Sequence, residues 1–100
     1  MTDMTPVIHP GEILREEFLR PAGVDVATLA DALKLPRDRL MALVGGEGSI
    51  CVDMALRLSH YFGTSERFWL EMQLRYDLER VRHRRDVIAA EIRRPLSGAA

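Results

Sequence analysis

The sequence predicts an all-α fold, with five helices in one small domain. Strong helix formers dominate its apolar residues: 13 leucines, 10 alanines and 5 methionines, against 7 valines and 5 isoleucines. Prolines and glycines divide the chain into five stretches in which apolar side chains recur with helical spacing. With 100 residues, of which 47% are hydrophobic and 29% charged, the chain has the length and composition of one globular domain.

The composition argues against several classes of protein. No apolar run approaches the roughly 18 residues of a membrane helix, and no stretch resembles a signal peptide. Cys51 is the one cysteine, so no internal disulfide can form, and the three histidines lack the spacing of metal ligands. We therefore expect a cytoplasmic protein with no membrane association, no metal and no other cofactor.

The first helix is expected to begin at Pro10, because proline suits a first helical position, with His9 as its cap. Pro21 should end this helix near Arg20. The apolar face contains Ile13, Leu14 and Phe18. Residues 1–8 show no helical period and should form a flexible segment.

The second helix should begin after Asp25, a good N-cap. Its apolar stripe has the spacing i, i+3, i+4, i+7 and consists of Val26, Leu29, Ala30 and Leu33. Pro36 should open the third helix, and Gly45 and Gly46 should end it. The inward side chains of the third helix are Leu40, Leu43 and Val44.

The fourth helix is expected from about Val52 to the stop at Gly63. Its inward face consists of Ala55, Leu58, Ser59 and Phe62. The fifth helix should begin after Ser65 and meets no breaker before Pro95, so it could reach roughly 28 residues. We expect its far end, within residues 83–100, to form a helical extension with a frayed tail.

Residues 26–45 match the twenty-residue pattern of a helix-turn-helix. Leucine or alanine occupies positions 4, 5, 8, 10, 15 and 18 of this unit: Leu29, Ala30, Leu33, Leu35, Leu40 and Leu43. The two helices cross steeply, so the crossing needs a small residue, and Ala30 supplies it. Lys34 stands at position 9, where glycine is preferred because the backbone is often left-handed. The alternative is a plain helical hairpin.

Four stretches carry a family resemblance: HPGEILREEF (9–18), LADALKLPRDRL (29–40), the GGEGSI loop, and MALRLSHYFGTSERFWLEMQLRYDL (54–78). In these stretches the chain resembles the Xre/Cro-repressor-type helix-turn-helix proteins, and among them the HigA antitoxins of HigBA toxin–antitoxin modules. The resemblance implies a dimeric antitoxin that binds double-stranded operator DNA, represses its own operon and neutralises an mRNA-cleaving, HigB-like toxin. Residues 9–82 would then form the helix-turn-helix DNA-binding domain.

The third helix supplies the expected contacts to a DNA major groove. The DNA-facing set consists of Arg37, Asp38, Arg39, Met41 and Ala42, with Ser49 from the following loop. Arg37 can donate two hydrogen bonds to guanine, and Asp38 can accept one from cytosine. Met41 and Ala42 can contact a thymine methyl group, and Arg39 suits a phosphate. The alternative is a charged cluster at residues 37–39 that is merely solvated and caps the helix.

Three features depart from the usual pattern of that family. Val26 stands where a polar phosphate donor is common, Glu47 where lysine or arginine is usual, and Met41 and Ala42 where a polar or basic pair is frequent. The net charge is −1, but residues 1–31 carry −4, residues 32–62 carry +1 and residues 63–100 carry +2. We expect weak DNA binding per subunit that depends on dimerisation and on arginine.

The fifth helix shows two apolar faces. Phe68, Trp69, Met72 and Tyr76 should belong to the core. A second set of apolar residues has nearly the heptad spacing of a coiled-coil seam, and it is too large to be covered by the other helices of the domain. This C-terminal apolar set consists of Leu74, Leu78, Val81, Ile88 and Ile92, and we expect it to contact a second copy or the toxin.

Cys51 should lie at the N-cap of the fourth helix, as a partly buried and inert residue; a redox-sensitive DNA contact is the alternative. We expect no enzyme, because Glu16 and Glu17 point in different directions and no serine or cysteine has a plausible base. Two other functions stay open: a solitary Xre-type regulator, and a protein-interaction module whose DNA binding has decayed.

Overall fold

The computed structural model describes residues 7–95, and every regular element in that range is helical. Helix α1 spans residues 10–22 as an α-helical turn at Pro10–Ile13, a π-helical stretch at Leu14–Leu19 and a last α-helical turn at Arg20–Ala22. The other helices are α2 (Val26–Leu33), α3 (Arg37–Val44), α4 (Val52–Phe62), α5 (Glu66–Arg80) and α6 (Arg85–Glu91), with a 3-10 turn at Arg82–Arg84 before α6. The all-α expectation is confirmed.

The two chain ends were expected to be loosely held. The expected tail at residues 96–100 and most of the segment at residues 1–8 lie outside the described range; Val7 and Ile8 are described, and both are exposed. Within residues 7–95 no helix has the length and apolarity needed to cross a membrane.

Side chains cap three helices at their first turns. His9 Nδ1 accepts the Gly11 N–H at 2.9 Å, and Asp25 Oδ1 accepts the Thr28 N–H at 2.7 Å. The bond from Thr28 holds the pKa of the Asp25 carboxyl below its ordinary value. Ser65 Oγ accepts the Phe68 N–H in the same way. The predicted caps at His9 and Asp25 are confirmed.

Helix α1 does not end at Pro21, so that prediction is wrong. The Arg20 N–H donates to the carbonyl of Arg15, five residues earlier, in the wider turn of a π-helix. In this turn the ring of Pro21 avoids the close carbonyl that proline meets inside a regular α-helix. The helix continues to Ala22 and ends at Gly23, which adopts φ 68°.

The expected long fifth helix is interrupted at Val81, where φ is −107° and ψ is 14°. Every residue from 81 to 95 is exposed, so no burial holds the chain in a continuous helix there. Arg80 and Arg84 would also stack as like charges four residues apart. The single helix resolves into α5, a 3-10 turn and the short α6.

The core is built from side chains of all five helices α1 to α5 and from one residue of the loop before α4. It consists of Leu14, Leu19, Leu29, Ala30, Leu33, Leu40, Leu43, Ile50, Met54, Ala55, Leu58 and Trp69. Trp69 is fully buried and donates its indole N–H to Thr64 Oγ1 at 2.7 Å. The rings of Phe18 and Phe62 lie against it, at centroid distances of 4.9 Å and 6.2 Å. Phe68, expected in the core, lies at its edge and is 37% exposed.

The predicted turn between α2 and α3 is confirmed. Lys34 adopts the left-handed conformation, with φ 60° and ψ 42°. The Leu35 N–H then donates to the carbonyl of Ala30 at 3.0 Å, which closes the end of α2. Lys34 is the one non-glycine residue with positive φ among residues 7–95.

Replacing Lys34 with glycine should stabilise the domain by about 0.5–1 kcal/mol, because glycine reaches this conformation without the Cβ penalty. The free energy of unfolding in urea measures the change. Ala32→Gly, in the last turn of α2, is the matched control and should destabilise the domain by up to about 1 kcal/mol. If Lys34→Gly lowered the free energy of unfolding as much as Ala32→Gly does, the conformation of Lys34 would not be strained.

Candidate nucleic-acid interface

Helix α3 presents one side to the core and the other to solvent. Leu40 and Leu43 are buried against the rest of the domain. All six residues of the DNA-facing set are exposed, with Met41 at 59%. The structure thus gathers them on the outer side of α3 and on the loop after it. Whether they contact DNA stays a prediction.

The guanidinium of Arg37 pairs with Asp31 of α2 and not with its neighbour Asp38. Its Nε and Nη2 atoms donate to the two carboxylate oxygens at 3.2 Å and 2.8 Å. The hydrogen bonds from Arg37 hold the pKa of Asp31 low, and Asp31 in turn raises the pKa of Arg37. Both side chains are exposed, so the pair adds little stability and opens readily.

Arg39 lies beside Cys51, the residue that precedes α4. Its Nη2 atom is 3.0 Å from the Cys51 sulfur. The expected N-cap position of Cys51 is confirmed, but the residue is exposed, so its predicted partial burial is wrong. The pKa of the thiol is held below its ordinary value, mainly by a hydrogen bond from the Met54 backbone N–H at the start of α4 and to a lesser extent by the Arg39 guanidinium.

Arg39→Ala should therefore raise the pKa of the Cys51 thiol, because the thiolate loses a cation beside it. Alkylation by iodoacetamide measures this shift. When its rate is plotted against pH, the midpoint of the increase should lie at a higher pH in the variant than in the unchanged chain. Arg37→Ala is the matched control, since Arg37 pairs with Asp31. An unchanged alkylation profile in Arg39→Ala would contradict the contact.

Two glycines allow the loop between α3 and α4 to change direction. Gly46 and Gly48 have φ of 90° and 77°, values that other residues adopt at a cost. The Glu47 N–H donates back to the carbonyl of Ala42 at 2.9 Å, which fixes the turn at the end of α3. Ser49 follows in the exposed part of the loop. The loop thus leads directly from the outer side of α3 to the first turn of α4.

Two residues of α1 hold the C-terminal end of α3, a role that no motif in the sequence indicates. Gly11 is buried so closely against α3 that a Cβ atom there would overlap the carbonyl oxygen of Leu43. Arg15 Nη1 donates to the carbonyl of Val44 at 2.9 Å. A glycine inside a helical stretch was the available signal, since it weakens a helix unless two backbones approach closely.

The C-terminal apolar set is exposed throughout but does not form one continuous seam. Leu74 and Leu78 lie on α5, Val81 at its end, Ile88 on α6 and Ile92 just beyond α6. The break at Val81 interrupts the heptad spacing, so the expectation of one helical seam is wrong. Among residues 7–95 no cluster of histidine, cysteine or acidic side chains is placed to hold a metal ion.

Comparisons with known proteins find relatives over most of the chain, although no protein-family model matches it. It is 49% identical over 74 residues to Virulence-associated protein I of Dichelobacter nodosus, covering 74% of this chain and 68% of that protein. It is 35% identical over 77 residues to Antitoxin HigA-1 of Vibrio cholerae serotype O1, covering 77% and 72%.

Solved structures share the fold at similar identity. The antitoxin HigA of Pseudomonas aeruginosa with the higBA promoter has 41% identity and a TM-score of 0.80, over 91% of this chain and 99% of that chain. The antitoxin GraA in complex with its operator has 36% identity and a TM-score of 0.81, over 96% and 98%. Shared sequence and shared helices over nearly the whole length show that the chain belongs to the HigA family of helix-turn-helix antitoxins.

Proposed function

We propose that the chain is a cytoplasmic antitoxin, and not an enzyme, that binds its own operator DNA as a homodimer, represses its operon and neutralises a HigB-like, mRNA-cleaving toxin. One observation carries this proposal. The outer side of α3 is exposed, and the chain has the fold of antitoxins whose structures contain promoter or operator DNA.

The DNA-facing set divides by chemistry. Arg37 is placed at the first turn of α3, where a guanidinium can donate to guanine O6 and N7 once it leaves Asp31. Asp38 can accept from cytosine, and Met41 and Ala42 offer apolar contact to a thymine methyl group. Arg39 and Ser49 suit phosphate oxygens beside the groove.

The charge of the chain limits the affinity of one subunit. Glu47 is exposed in the loop after α3, where it would repel a nearby phosphate. Two half-sites read by a dimer, about one helical turn apart, would compensate. The body that binds DNA is assigned to residues 9–82, and residues 83–100 to the extension, which is exposed over its described part.

A binding assay with the DNA upstream of this gene tests the proposal. The unchanged chain should shift that fragment and leave a scrambled fragment of equal composition unbound, with affinity falling steeply as salt rises. Equal affinity for both fragments would contradict operator recognition and favour an interaction module. Co-expression with the neighbouring reading frame tests the antitoxin role, because the chain should relieve growth arrest caused by that product. No relief by a chain that still binds the operator would favour a solitary regulator.

The C-terminal apolar set is the proposed surface for a second copy or for the toxin. Leu74 and Leu78 are each more than half exposed, one turn apart on α5, which is costly for leucines without a partner. The double variant Leu74→Glu, Leu78→Glu should lose either the dimeric mass in light scattering or co-elution with the toxin. Leu56→Glu, at an exposed leucine of α4, is the matched control. Retention of both properties by the double variant would refute the assignment.

A further inference from the structure

We propose that Gln73 of α5 is a positioning residue for DNA binding, which acts by fixing the loop between α3 and α4. The proposal rests on the function proposed above and adds a residue far along the chain from the DNA-facing set. Gln73 is 6% exposed, so it cannot itself contact DNA. Its side-chain amide instead contacts the backbone of the loop that carries Ser49.

The side-chain amide of Gln73 forms hydrogen bonds through both its oxygen and its nitrogen. Its Oε1 atom accepts the backbone N–H of Ile50 at 2.8 Å, inside the domain. Its Nε2 atom donates to Asp77 Oδ1 at 3.0 Å, one turn further along α5. The carboxylate of Asp77 accepts only, so it sets the orientation of the amide and leaves Oε1 facing Ile50.

A second contact holds the loop on the other side of Ser49. The imidazole of His9 is 7% exposed, and its Nδ1 atom accepts the Gly11 N–H. Its Nε2 atom therefore carries the proton and donates to the carbonyl of Gly48 at 3.1 Å. The ring of Tyr76 packs against this imidazole edge to face, at a centroid distance of 4.7 Å.

Ser49 thus lies between two anchored peptide groups, the carbonyl of Gly48 and the N–H of Ile50. Gln73 and Tyr76 support these anchors from the same side of α5, one turn apart. The residue after Ile50 begins the approach to α4, whose first backbone N–H groups can bind a phosphate. A loop fixed before binding loses less conformational freedom when DNA arrives, so the anchors should strengthen binding.

Removing the acceptor at position 73 should release the loop. The Ile50 N–H would be left buried without a partner, and the backbone would shift toward water to satisfy it. Ser49 and the start of α4 would move with it. The DNA-facing residues of α3 would keep their places, because α1 holds that helix independently through Arg15.

Gln73→Met tests this inference, because methionine keeps the volume and removes the acceptor. Operator affinity should fall about tenfold, the equivalent of about 1.4 kcal/mol, in a titration at a temperature where circular dichroism shows both chains folded. Amide hydrogen exchange of Ser49 and Ile50 should accelerate in the same variant. Phe62→Leu, which loosens the core away from the loop, is the control and should leave operator affinity unchanged.

A paired exchange provides the rescue. Gln73→Glu together with Asp77→Asn keeps an acceptor for Ile50 and reverses the bond between positions 73 and 77, with the same net charge. Affinity should return to within about threefold of the unchanged chain. The positioning role would be overturned if Gln73→Met bound the operator as tightly as the unchanged chain. It would also be overturned if the paired variant folded but did not regain affinity. Failure of the unchanged chain to bind its operator would instead refute the proposed function.

Discussion

Gly11→Ala is expected to destabilise the domain by about 3 kcal/mol, the largest effect of any single methyl group that we foresee. The added Cβ would overlap the carbonyl oxygen of Leu43, which belongs to the backbone of α3 and cannot rotate away. Helix α1 would have to move off α3. That movement would also stretch the bonds from His9 to Gly48 and from Arg15 to Val44.

Urea unfolding followed by circular dichroism measures this loss. Glu12→Ala is the matched control, since Glu12 is the next residue, is exposed and should cost less than about 1 kcal/mol through the helix dipole. Operator affinity should fall as well in Gly11→Ala at temperatures where it remains folded, because α3 loses its support. A loss no larger than that of Glu12→Ala would show that α1 and α3 tolerate a wider separation.

Arg37→Ala is expected to weaken operator binding by about 10- to 100-fold and to relax the preference for one guanine, since a bidentate contact contributes about 1–3 kcal/mol. Arg39→Ala should weaken binding to all sequences alike and reduce the dependence on salt, as loss of a phosphate contact does. Titrations against the operator and against single-base variants distinguish the two roles. Unchanged affinity in both variants would refute the assigned DNA-facing set.

Two controls separate the contact of Arg37 from general charge. Arg20→Ala removes an exposed arginine of α1 that pairs with Glu16 and should leave operator affinity nearly unchanged. Asp31→Asn frees Arg37 from its ion pair and should raise affinity severalfold. The gain should largely disappear when Arg37→Ala is combined with it. A gain that persists without Arg37 would assign the effect to the charge of Asp31 alone.

Most of the fold was predictable because helix caps, turns and apolar spacing each depend on only a few neighbouring residues. The N-caps at His9 and Asp25 follow from side-chain chemistry, and the left-handed turn at Lys34 follows from its position in the twenty-residue pattern. The end of α5 did not follow, since nothing in the sequence near Val81 acts as a breaker. Beyond Arg80 no side chain is buried, so nothing there enforces one continuous helix, and packing is a property of the folded domain.

The exposure of the DNA-facing set on the outer side of α3 and in the following loop was predictable from the sequence, but the contacts of these side chains were not. Arg37 was singled out by its place on the third helix, whereas its pairing with Asp31 depends on the crossing angle of α2 and α3. Gln73 and Ile50 are 23 residues apart, so no local pattern indicates their bond. The exposure of Cys51 was not predictable either, because an N-cap position specifies the backbone of a residue and not how much of its side chain the other helices cover.

The exposed stretch that follows α5 has a further consequence for the lifetime of the protein. Residues 81–95 bury no side chain, so opening that stretch to a protease costs little free energy, and its arginines offer cleavage points. The body up to α5 is held by Trp69 and its neighbours and opens only when the domain unfolds. Degradation would therefore proceed in two stages, with a first cut at Arg82, Arg84 or Arg85 removing Ile88 and Ile92 while the DNA-facing set remains folded.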